Sequence, residues 1–198
     1  MNRVLSFYFA ARGWTLAALF LLLAWRRALV PADDAPLRWE MLAIVASGML
    51  LRAWAGAHLG LHGNGARAEA PSLVASGPYA FSRNPLYLSN LAIGAGLIFF
   101  ANALSPETTV ALLAFLLAHH VVLARWEEKH LKGLWPDAYA AYAAVTPRWF
   151  GLRPPPRAEN ITDTRNWSPV LSRQGRNLAY AAACVLILWA AAHIPRLP

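Results

Sequence analysis

The chain has 198 residues, 58% hydrophobic and only 14% charged, with a mean hydropathy of +0.36. Soluble domains carry about 25% charged residues, so this composition excludes a disordered chain, argues against a soluble one, and leaves one integral membrane domain. The single cysteine excludes a disulfide framework and a Cys-based zinc site, and no metal site is expected. The net charge of +8 lies on arginines that flank apolar runs, which points to anionic headgroups and away from nucleic acid.

A bilayer core takes roughly 20 helical residues. The first apolar run, Val4 to Trp25, is too long for a signal peptide and lacks a small-residue cleavage motif, so it is expected to span. Pro31, Asp33, Asp34 and Pro36 then set a tight turn. The second run, Trp39 to Leu59, holds Arg52 well inside it, and the third is Leu86 to Leu104. Ser105-Pro106-Glu107 can open the next helix as cap, first-turn proline and dipole partner. The fourth run, Thr108 to Ala124, carries His119 and His120. Trp135-Pro136-Asp137 marks a helix boundary, and the Ala-rich stretch after it reads as a short interfacial helix. Residues 151–177, with Arg153-Pro-Pro-Pro-Arg157, read as a polar cytoplasmic linker before a last span, 178–194. The expected fold is an all-α membrane bundle of about five transmembrane helices.

With five spans, the N-terminus and both long polar stretches share one side. That side holds twelve Lys and Arg outside the spans, against four (Arg26, Arg27, Arg38 and Arg196) on the other. The positive-inside rule puts the twelve in the cytoplasm.

Polar groups in or beside spans are costly and therefore candidates for function. Arg52 can snorkel, pair with a carboxylate, or hold a substrate or cofactor anion. Glu127 and Glu128 follow span four and point about 100° apart on a helix, so one can face a pocket while the other faces solvent. Their plain alternative is a solvated run with a Glu128–Lys132 pair. In residues 73–90, Gly77-Pro78 sets a turn, Pro85 opens span three, and Tyr79, Arg83 and Tyr87 crowd one interface. The two tyrosines can equally be belt residues. His58 and His62 are four apart and His119 and His120 adjacent, so a haem-holding redox protein is the competing class of function; a non-catalytic scaffold is a third.

The segments LLRAWAGAHLG, LVASGPYAFSRNPLYLSN, RWEEKHL and LWPDAYAAYAAVTPRWF, in that order over about 50–150, resemble the isoprenylcysteine carboxyl methyltransferase family, relatives of the phospholipid N-methyltransferases. The resemblance implies an S-adenosylmethionine-dependent methyltransferase with a cytoplasm-facing cofactor pocket. It implies Tyr79, Arg83, Asn84, Pro85, Tyr87, Glu127 and Glu128 as cofactor residues, and Tyr139, Tyr142, Pro147 and Trp149 match its C-terminal signature. Asn84 stands where that family usually has histidine. It keeps a donor and an acceptor but cannot titrate.

Membrane lipids are the expected surroundings, and a lipid-like or small hydrophobic molecule the methyl acceptor. Oxygen is slightly favoured over nitrogen or sulfur as the accepting atom. A carboxylate acceptor needs a cation, with Arg52, Arg83 and Arg148 as candidates. An amine needs a base, for which Glu128 is the candidate. Sixteen Arg to two Lys, with abundant alanine, fits a GC-rich bacterial genome and hence an inner-membrane location.

Overall fold

The computed structural model describes residues 3–30, 34–59, 73–151 and 168–194, with side chains from Trp14 onward in the first helix and from Gly175 onward in the last. The His58–His62 and Gly56–Gly60 pairs and Arg153–Arg157 fall wholly or partly outside them. Six α-helices are described: α1 (Arg3–Leu29), α2 (Leu42–Leu59), α3 (Pro85–Ala101), α4 (Pro106–Leu134), α5 (Pro136–Val145) and α6 (Ser168–Ala192). Short 3₁₀ turns at Trp39–Met41 and Gly77–Ala80 precede α2 and α3. Among the described residues, Trp39–Leu59, Pro106–Leu134 and Gly175–Ala192 are long and apolar enough to cross a membrane, and Pro85–Ala101 is a shorter apolar helix. The architecture is the expected all-α membrane bundle. Its outward faces keep large apolar side chains exposed, among them Trp14, Leu50, Val110 and Leu186.

Several boundaries differ from the sequence expectation. α3 stops at Ala101, before the expected Leu104, because Asn102 adopts a left-handed backbone with φ 46°. Its amide donates to the Pro36 carbonyl at 3.0 Å. α4 does not stop with the apolar run. It continues through Leu134, where Trp135 and Pro136 break it, and so projects Arg125–Leu134 about 15 Å beyond the expected span. α6 begins at Ser168, ahead of the expected Leu178. The cap of α4 is as expected: the Thr108 N–H donates to Ser105 Oγ at 3.3 Å, with Pro106 in the first turn.

α2 and α3 approach most closely, because glycine lets them. A Cβ on Gly96 would lie 2.7 Å from Val45 Cγ2 and 3.0 Å from its backbone nitrogen. One on Gly48 would lie 2.9 Å from the Ser89 carbonyl oxygen. Small residues at such a crossing replace the hydrophobic drive that lipid cannot provide. The main core gathers Leu23, Val45, Leu97, Phe100, Leu116 and Leu188 from five helices. At the far end from the expected site, Arg27 is fully buried. It donates to the carbonyls of Ala35 at 2.8 Å and Ala101 at 2.9 Å, capping the end of α3.

Candidate active site

The extended α4 carries Glu127 and Glu128 away from the apolar run to where the start of α3 and the segment after α5 converge. Glu128 is 7% exposed and is not paired with Lys132 as a solvated surface glutamate would be. Arg148 grips it by a fork, Nε to Oε1 at 3.0 Å and Nη2 to Oε2 at 2.9 Å. Asn84 donates its amide to Oε1 at 2.7 Å, and Arg83 Nη1 reaches Oε2 at 3.3 Å. Glu128 thereby joins three stretches that lie far apart in sequence.

The backbone repeats the same union. The Arg83 N–H donates to the Pro147 carbonyl at 3.0 Å, and the Asn84 amide and Ser82 hydroxyl donate to the Arg148 carbonyl at 3.1 and 3.3 Å. Asn84 stands at the N-cap of α3 but makes no side-chain cap there. It forgoes a contribution of roughly 1 kcal/mol to the helix in order to hold Glu128. Pro85, buried beneath it, opens the helix without an N–H to leave unsatisfied.

Glu127 is not turned out to solvent either. It is half-buried and accepts the Tyr87 hydroxyl at 2.6 Å. Tyr79 is buried in the 3₁₀ turn, where its carbonyl accepts the Tyr142 hydroxyl at 2.7 Å and so fastens α5 to that turn. Gly77, at φ 59°, packs against the His58 ring, which a Cβ there would strike. Burial raises the phenol pKa of Tyr79, Tyr139 and Tyr142 above the ordinary value near 10. For Tyr79, the Glu127 carboxylate pushes further up while Arg52 pulls back. The Glu128 carboxylate holds Arg148 even more firmly protonated than usual.

The three candidate cations thus separate. Arg83 and Arg148 close on Glu128, whereas Arg52 lines an apolar cavity of about 650 Å³ and donates to Asn90 Oδ1 at 2.6 Å. Ser82 and Asn90 are polar members that sequence reasoning missed. Asn90 left a signal, being a lone amide within the apolar run of α3 as Arg52 is the lone charge within α2. His120 rests its Nδ1 on the Leu116 carbonyl at 2.8 Å and stands edge-on to Tyr87. Among the described residues, no three His, Cys, Asp or Glu side chains gather as a metal site requires.

The sequence profile of the phospholipid methyltransferase family matches residues 39–138, just over half the chain. The chain belongs to this family of membrane methyltransferases. In this phospholipid methyltransferase family member the matched region runs from the 3₁₀ turn before α2 to the start of α5, so Tyr139, Tyr142 and Arg148 lie beyond it yet close the same cluster. The chain is similar to the cobalt-zinc-cadmium resistance protein CzcN of Cupriavidus metallidurans, 36% identical over 108 residues. That stretch is 54% of this chain and 46% of the relative, so the match spans about half the length of each. No solved structure matches the chain.

Proposed function

We propose that the protein transfers a methyl group from S-adenosylmethionine to a lipid-like or small hydrophobic acceptor at the membrane interface. The observation that carries this reading is the convergence at the base of α4. There Tyr87 meets Glu127, and Glu128 draws Arg83, Asn84 and Arg148 together, beside the polar end of an apolar cavity. Family membership supports the reaction class. The residue roles, the cofactor and the acceptor are our inference.

The residues suit that cofactor. Arg83 Nε, Trp135 Nε1 and Thr146 Oγ1 are buried in this junction without a hydrogen-bond partner among the described residues. Such orphaned groups are costly unless a ligand satisfies them. Arg83 suits the cofactor's carboxylate; Glu127 suits its amino group or ribose hydroxyls. Tyr79, Asn84, Pro85 and Tyr87 shape the surrounding wall. Glu128 is a positioning residue, since two guanidinium groups and an amide already occupy it. Arg148 works through it in turn.

When bound, S-adenosylmethionine supplies a methyl group already activated by its sulfonium. What remains for the chain is to place, desolvate and hold the acceptor. Arg52 can fix an anionic head at the cavity's polar end, which favours a carboxylate acceptor over an amine or thiol. A carboxylate oxygen needs no proton removed before it attacks, so no base is required. Tyr139, Tyr142 and Trp135 form an aromatic cover that excludes water. We place the site on the cytoplasmic face of a bacterial inner membrane, following the basic bias of that side.

Isothermal titration of detergent-purified protein with S-adenosylhomocysteine tests this directly. We expect micromolar binding that Glu127→Gln weakens at least tenfold. Absence of binding in a folded, monodisperse sample sinks the cofactor assignment.

A further inference from the structure

α4 has a second face, turned away from its two glutamates. At about 100° per residue, Phe115, Ala118, Val122, Arg125, Lys129 and Lys132 fall within one arc of about 100° and form a continuous stripe. All six are exposed. The stripe is apolar as far as Val122 and cationic from Arg125 onward. Between Phe115 and Lys132 no carboxylate falls in this arc. Glu127 and Glu128 lie outside it, held by Tyr87 and Arg148. None of the three cations forms an ion pair with another described residue.

The change of character has a depth. Glu107, exposed at the start of α4, is the last Asp, Glu, Lys or Arg before Arg125. The 18 residues from one to the other rise about 27 Å, close to the roughly 30 Å of a hydrocarbon core. Arg125 therefore stands where acyl chains give way to headgroups. Lys129 and Lys132 follow at axial steps of about 6 and 10 Å from it. The headgroup layer adds only about 5–7 Å to each side of the core, so Arg125 and Lys129 bracket the phosphates, and the flexible stem of Lys132 reaches back toward them. Half-buried Trp126 sits at the same depth, its ring 5.7 Å from that of His130 and nearly parallel to it, where amphipathic rings collect in membranes.

This is also an unusual way to arrange solvated charge. Arg125 and Lys129 are four apart and Lys129 and Lys132 three apart, spacings at which like charges repel and destabilise a helix. An anion seated among them removes that repulsion. We infer that the stripe binds one acidic phospholipid, its phosphate held between Arg125 and Lys129 with Lys132 above, and its acyl chains lying along Val122, Ala118 and Phe115. The apolar track leading up to the cations selects a lipid over a soluble phosphate. Once bound, the headgroup fixes the α4 extension at the level of the phosphates, and with it the opposite face that carries Glu127 and Glu128. The site is separate from the apolar cavity and stands whether or not the protein transfers methyl groups.

Native mass spectrometry of the detergent-purified full chain, titrated with phosphatidylglycerol or phosphatidylcholine, tests it. We expect one phosphatidylglycerol to be retained at least tenfold more tightly than phosphatidylcholine. The triple change Arg125→Gln, Lys129→Gln and Lys132→Gln should abolish that preference. Lys129→Glu, a single exposed substitution, should weaken it several-fold. The triple change Arg26→Gln, Arg38→Gln and Arg176→Gln removes the same charge elsewhere and should keep it, as should Lys129→Arg with Lys132→Arg. Phosphatidylglycerol bearing a diazirine in its acyl chain should label Phe115–Val122 in the parent. Equal retention of the two lipids, or a preference that survives in the stripe variants, overturns the site. Equal loss in both triple variants reduces it to net charge and overturns it too. Displacement of the lipid by millimolar inorganic phosphate marks a free-anion site and overturns the lipid assignment, and label confined to other helices overturns the track.

Discussion

Glu128 binds Arg83, Asn84 and Arg148 at once, so its loss leaves two cations and an amide facing one another. Removing one partner of a buried ion pair costs about 3–5 kcal/mol, and the 38% exposure of the Arg148 side chain sets this case at the lower end. Glu128→Ala should therefore lower the melting temperature in detergent clearly, and Glu128→Gln less so. Tyr87→Phe should behave differently. It removes a hydrogen bond to a charged group worth about 1.5 kcal/mol, and we expect roughly tenfold weaker S-adenosylhomocysteine binding with a small change in melting temperature. The buried phenols give a pH dependence. Their folded-state pKa lies above the unfolded value near 10, so burial contributes fully below pH 10 and is lost as pH rises beyond it. Stability should fall above about pH 10, and Tyr142→Phe should blunt that fall in a pH series of thermal melts. The motif segments bearing these residues were legible in the sequence. Their pairings were not, because Lys132 was the nearer partner for Glu128 by helical spacing, and only the tertiary approach of residues 146–148 brings Arg148 closer.

At the level of elements, α2 and α3 depend on the absence of two side chains. Gly96→Leu must push Val45 and its backbone away, and overpacking of this kind costs about 1–3 kcal/mol. A Cβ at Gly175, by contrast, meets nothing within 4 Å. Gly175→Ala should be neutral or stabilising by up to about 1 kcal/mol, since alanine is the better helix former. Thermal melts of the two variants check both signs. A parallel loss of S-adenosylhomocysteine affinity in Gly96→Leu would show that the crossing also positions Arg52 against Asn90. The spans were readable because lipid demands long apolar runs. Their ends were less readable. Asn102 ends α3 by its own backbone conformation inside an apolar stretch, and α4 runs on because Arg125–Leu134 is composed largely of good helix formers until Pro136. Hydropathy reports where lipid lies; it does not report where a helix stops.

For the whole molecule, the basic bias predicts an orientation. In a Cys184→Ser background, Glu107→Cys should react with a membrane-impermeant maleimide in intact cells. Asp137→Cys should react only after permeabilisation. The reverse pattern overturns the placement of the site in the cytoplasm. The all-α membrane bundle and the reaction class were legible from composition and motif order. The cavity was not, since it exists only where five helices meet and no local pattern encodes a space between them. One consequence concerns synthesis. Arg148 is made 20 residues after the carboxylate it holds, and Arg83 and Asn84 well before it. On the ribosome, the start of α3 and all of α4 are therefore complete before the last partner of Glu128 exists. The cluster is closed by a late addition, and a chain halted after Val145 but short of residue 148 would carry every helix of the family-matched region while its central acid still waited for its strongest partner.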